Sequence, residues 1–180
     1  MGRHGLVFLP LLCGVFLFDC LAFSDSDIPT KVLVRVVSKD SKVIGSGVGG
    51  ASVRITDAAT GKILAEGLQQ GGTGDTERIM MKPRQRGDVV YGTPGAAFFL
   101  AKMRLDRPAQ VVIQVEAPLT YPQAMQRGSK TVTLIPGKHI EGEGVVIELD
   151  GLIVNILEPV AGASLKSGAE ISVQAEIRML

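Results

Sequence analysis

Gly50-Ala51-Ser52-Val53-Arg54-Ile55-Thr56-Asp57-Ala58-Ala59-Thr60-Gly61-Lys62-Ile63-Leu64-Ala65 is the stretch on which the fold turns. Val53 and Ile55 alternate with Ser52, Arg54 and Thr56, residues 57–62 carry turn chemistry, and Ile63-Leu64-Ala65 resumes an apolar run. Two alternating runs joined by a short polar turn are the pattern of a β-hairpin. Asp57 favours a type I turn by accepting bonds from backbone just downstream. Gly61 stands where the loop closes through the left-handed region, in which a Cβ is strained.

Strand patterns extend from this hairpin in both directions. Upstream, Val32, Val34 and Val36 alternate with Leu33, Arg35 and Val37, a first strand largely buried on both faces. Downstream, residues 68–76 are a glycine-rich loop, residues 77–82 are read as a short strand, and residues 83–95 form the longest polar excursion. Long loops inside a compact domain are usually functional, so this one is the first candidate for a binding surface. Phe99, Ala101, Met103 and Leu105 then share one face, with Lys102 and Arg104 on the other. Val111, Ile113 and Val115 supply a partner strand, and residues 131–135 and 145–149 two more; residues 121–127 leave room for one short helix. Short strands spaced by Gly and Pro turns predict an all-β fold, an antiparallel Greek-key sandwich.

The ends of the chain read differently. Residues 1–24 join a basic start, Arg3 and His4, to an apolar centre over residues 5–18 and small residues at Ala22 and Ser24. That is the layout of a helical secretory signal peptide. The apolar run falls short of the ~20 residues of a spanning helix, so no membrane span is expected after cleavage. Cys13 and Cys20, the only cysteines of the 180 residues, lie inside this segment, which leaves the mature chain without disulfides or a thiol nucleophile. At the other end, residues 152–157 and then Ile171, Val173, Ala175 and Ile177 read as strands. A lone strand pair is not stable in water, so residues 151–180 are either the final strands of the sandwich or the start of a second domain in a longer protein.

Residues 50–65, preceded by Val-Leu-Val-Arg-Val-Val at 32–37, resemble the carboxypeptidase-regulatory-like modules, which have a transthyretin-like sandwich. The resemblance implies one such module over residues 25–150. Val154-Asn-Ile-Leu-Glu-Pro159 with Gly168-Ala-Glu-Ile-Ser-Val-Gln-Ala175 resembles the start of a bacterial immunoglobulin-like module. Both resemblances imply a non-catalytic accessory, adhesive or spacer role in an exported protein.

Several motifs test that expectation. Gly45-Ser-Gly47-Val-Gly-Gly50 matches the dinucleotide fingerprint, but the strand after it offers no helix N-terminus to a pyrophosphate. Arg86-Gly87-Asp88 is the tripeptide of some integrin ligands, and Arg78, Lys82, Arg84 and Arg86 could hold an anionic glycan or phosphate. His139 is the only histidine beyond the leader, which denies one chain a histidine triad. Glu141, Glu143, Glu148 and Asp150 lack the spacing of a calcium loop, and Met80, Met81, Met103 and Met125 read as core filling before a soft-metal site. No catalytic, cofactor-binding or metal-binding residue is therefore assigned. The net charge of +1 gives no case for a nucleic-acid partner. The expected protein is a secreted or periplasmic, non-enzymatic scaffold or interaction module whose partner is another envelope or extracellular protein. The alternative is a ligand-binding module for a glycan or metal ion.

Overall fold

The computed structural model describes Met1, residues 27–39 and residues 42–180. The expected signal peptide and two residues of the first polar turn, 40 and 41, lie outside the described residues. Among the described residues nine strands and one short α-helix follow in order: β1 (Ile28–Ser38), β2 (Ala51–Asp57), β3 (Ile63–Gln69), α1 (Thr76–Met80), β4 (Phe99–Leu105), β5 (Ala109–Ala117), β6 (Gln126–Leu134), β7 (Ile140–Leu149), β8 (Leu152–Glu158) and β9 (Gln174–Met179). The fold is all-β. None of the described helices is long and apolar enough to cross a membrane.

The strands form a three-stranded sheet in the order β4-β1-β7, a four-stranded sheet in the order β3-β2-β5-β6, and a two-stranded ribbon β8-β9. The first two sheets share one core. Val32, Val34 and Val36 of β1 are fully buried with Ala101 and Met103 of β4 and Ile147 of β7, and in the same cluster lie Val53 and Ile55 of β2 and Val111, Ile113 and Val115 of β5. Each set comes from alternate positions, so the period-two pattern of the sequence becomes the inner face of a layer. Every strand pair but one is antiparallel. The exception corrects the antiparallel expectation for the first sheet: β1 runs parallel to β7. A parallel pair requires a long crossover, and here the chain passes through the whole second sheet between its two members.

The organising hairpin forms as read. Asp57 Oδ1 accepts from the Thr60 N–H at 2.7 Å, the Thr60 hydroxyl at 2.8 Å and the Ala59 N–H at 3.0 Å. Gly61, at φ 72°, donates to the Asp57 carbonyl. The two bonds from Thr60, backbone first and hydroxyl second, hold the Asp57 carboxyl below its usual range. Such a group stabilises the fold fully above the unfolded-state value of ~3.9 and loses that contribution as pH falls through its lower folded value. Asp57→Ala is therefore expected to lower Tm at neutral pH, with a gap from wild type that closes on acidification below that value. Thermal melts of both proteins across that range check this, and a gap that persists in acid would remove Asp57's charge from the account.

Three elements differ from the sequence reading. Residues expected as a strand at 77–82 begin instead with α1, because Asp75 caps the helix by accepting from the Arg78 N–H at 3.0 Å and Ile79 is buried beneath it. Asp at a helix N-cap satisfies an otherwise orphaned N–H and outweighs the weak strand pattern after it. Likewise the alternation at Ile171 and Val173 does not pair. The partner strand β8 ends at Glu158, opposite Gln174, so nothing remains to pair with what precedes β9. The short helix expected within residues 121–127 is a single 3-10 turn, Pro122–Ala124, after which β6 begins.

Candidate functional site

The candidate site is the ribbon β8-β9. Its register sets Leu152 opposite Met179, Val154 opposite Ile177, and Ile156 opposite Ala175. Directly paired residues share a face and successive residues alternate, so these six form one apolar ladder. Leu152, Val154, Ile156, Ile177 and Met179 are each 51–65% exposed. The opposite face joins the sandwich. There Ile153 and Leu180 enter the main core, the Leu180 N–H donates to the Gly151 carbonyl, and the Arg178 guanidinium donates to the Tyr121 hydroxyl at 3.2 Å. In the sheet order of the described residues, each strand of the ribbon is paired with the other. Val160, Leu165, Ile171 and Val173, in the connection between the strands, add further exposed apolar side chains.

No protein family matches this chain, nor does any curated protein or solved structure.

The loop singled out from sequence is organised against the sandwich. Residues 70–98 cross the outer face of the three-stranded sheet, where Ile79, Val90, Tyr91, Ala96 and Ala97 bury with Val37 and Val43 in a second core. Within it, Arg86 and Gly87 occupy the tip of a turn closed by the Asp88 N–H on the Gln85 carbonyl, while Asp88 Oδ2 accepts from the Gln85 N–H at 2.9 Å. Arg78, Lys82 and Arg84 surround a hollow of about 370 Å³ together with Asp75 and Asp88. Lys82 lies 3.8 Å from Glu77, and Arg84 lies over the Tyr91 ring at 5.3 Å. The basic cluster is thus interleaved with carboxylates and an aromatic face, which spends much of its positive field internally.

The other sequence candidates separate in space. Glu141 faces Lys31 at 3.9 Å, His139 Nδ1 accepts from the Lys31 N–H, and Glu143 accepts the Tyr91 N–H with both carboxylate oxygens. Among the described residues no three His, Cys, Asp or Glu side chains gather as a metal site. Met103 is in the core, whereas Met80, Met81 and Met125 are exposed on other elements. The glycines at 45–50 lead through a 3-10 turn into β2, and a Cβ on Gly45, Gly49 or Gly50 would run into neighbouring backbone, so these three serve close backbone approach, whereas one on Gly47 would meet open space.

One concavity carried no signal in the sequence, a transverse groove of about 770 Å³ on the outer face of the four-stranded sheet. Its floor is the row Gly67, Val53, Val115 and Gly128. One wall is the row Glu66, Arg54, Gln114 and Ser129, and the other is Leu68, Ser52, Glu116 and Arg127. Arg54 pairs with Glu66 at 3.3 Å and Arg127 with Glu116 at 2.7 Å. These residues are dispersed over four strands, and only the pairing register brings them together.

Proposed function

We propose that this chain is an exported, non-catalytic β-sandwich scaffold that binds another envelope or extracellular protein through the open face of the β8-β9 ribbon. The observation that carries this reading is the ladder of Leu152, Val154, Ile156, Ile177 and Met179, each more than half exposed on a sheet face. Fully burying one such side chain is worth about 1.5–3 kcal/mol, so a ladder of five favours an occupied state strongly. The resemblance of residues 154–175 to the start of an immunoglobulin-like module gives the occupant its chemistry. It is a second β-layer, apolar on its inner face, packed about 10 Å away. The transverse groove supports the glycan-binding alternative less well, because both of its Arg–Glu pairs are already satisfied within the walls and a ligand would have to displace them.

A photo-reactive residue in place of Ile177, in the full chain expressed in its own host, is expected to give one discrete protein adduct. Adding Val154→Lys on the same face should abolish that adduct while leaving Tm within about 1 °C, since an exposed substitution changes stability by ~0.5 kcal/mol or less. An adduct from a probe at Ser129 in the groove, with none from Ile177, would overturn the assignment of the face.

A further inference from the structure

Arg35 is the odd charge of this fold. It sits in the middle of β1, the central strand of the three-stranded sheet, and is only 5% exposed. Its Nη1 donates to the carbonyls of Gly142 and Glu143 at 2.6 and 2.8 Å. Its Nε is buried with no hydrogen-bond partner, and no carboxylate lies within ion-pair distance of it among the described residues. Glu143 is the nearest source of opposite charge, but both of its oxygens are engaged by the Tyr91 N–H. A buried guanidinium is costly unless it is paired and its donors are filled, and this one has no ion-pair partner among the described residues and an unfilled Nε.

Beside it opens a hollow of about 550 Å³, lined by Arg35, Gly71, Gly92, Thr93, Pro94, Gly95 and Phe98 among others. Gly92 lies beside the guanidinium: a Cβ there would run into Val89 Cγ1 and stand 3.4 Å from Arg35 Nη2. Phe98, 44% exposed, and Pro94 give the same hollow an apolar wall. The arrangement offers one fixed cationic nitrogen, Nη2, with glycine backbone and a ring surface next to it.

We propose that this hollow binds a small carboxylate with an apolar body, the carboxylate taken by Nη2 of Arg35 and the body laid against Pro94 and Phe98. A carboxylate accepts a charge-assisted bond from a guanidinium nitrogen, and it supplies a counter-charge that no ion pair within the described residues provides. This site lies on the outer face of the three-stranded sheet and does not depend on the ribbon having a partner.

The test is titration of the full chain with sodium benzoate, followed by nitrogen-resolved NMR at the Arg35 Nε–H and the amides of Gly71, Gly92, Gly95 and Phe98. Saturable shifts of these signals are expected, with acetate binding about tenfold more weakly for want of the apolar contact. Phe98→Ala, at an exposed position, should bring benzoate down to the acetate level and leave acetate unchanged. Arg35→Gln should abolish both responses. Benzamide, which has the ring without the charge, should produce no shift at Arg35. Equal shifts with benzamide, shifts confined to other parts of the chain, or a silent Arg35 Nε–H at saturating benzoate would each overturn the proposal.

Discussion

Gln69→Leu is expected to destabilise the sandwich by on the order of 4 kcal/mol. Gln69 ends β3 and is fully buried between the two sheets. Its Oε1 accepts from the Val36 N–H at 2.7 Å, and its Nε2 donates to the carbonyls of Val36 at 2.8 Å and Ile44 at 2.9 Å. On that side of β1 the pairing with β4 stops at Val34, so the amide takes the place of a missing strand. Leucine has a similar size and none of these bonds. The Val36 N–H and the Ile44 carbonyl would be left buried and unpaired, at about 1–3 kcal/mol each, while the Val36 carbonyl keeps the bond from the Ile44 N–H. For a chain of this size that corresponds to a fall in Tm of roughly 10 °C. Urea unfolding monitored by circular dichroism measures it directly, and a loss below about 1 kcal/mol would mean that water or a local shift replaces the amide.

The second large effect concerns β7. Between the pairs Val32–Ile140 and Val34–Val145 the strand bulges, with Gly142 at φ 69° and Gly144 at φ 75°. This bulge turns the Gly142 and Glu143 carbonyls toward Arg35. A Cβ on Gly144 would strike the Leu33 carbonyl and its side chain, whereas one on Gly142 would meet only Val89 at an ordinary 3.7 Å. Gly142→Ala should therefore cost about 1 kcal/mol, the left-handed strain alone, and Gly144→Ala roughly 3–4 kcal/mol, strain plus a clash with backbone. The same denaturation experiment ranks them. Equal losses for the two variants would show that the bulge yields without cost and that β1–β7 pairing does not depend on its shape.

Much of this fold can be read locally. The hairpin is legible because Asp57, Thr60 and Gly61 act within a few residues of one another. The alternations at β4 and β5 are legible because each buries one face in the shared core. The strand expected at 77–82 failed because a single cap, Asp75, decides the local conformation there. The parallel partnership of β1 and β7 leaves no trace in a periodic pattern, since an apolar strand reads the same beside either neighbour. For the site, the period of two around Ile177 does reveal an apolar face. It says nothing about what covers that face, and the 65% exposure of Ile177 is a property of the assembled fold. Arg35 carried a signal of its own, a charge inside a strand read as buried on both faces. The groove carried none, because its two walls are built from four separate strands.

The position of β1 has a consequence for how the molecule comes together. It is the first strand of the domain and the middle one of its sheet, yet its β4 partners come some seventy residues later and the acceptors of Arg35 107 residues later. Loop-closure entropy must be met before such contacts contribute, so folding of this topology is slow and late rather than progressive. Until β7 is available, an apolar strand stands unpaired on one side and is open to wrong partners. The clock of the first sheet is set by β7, and a nascent chain that has reached only residue 135 has not yet closed it.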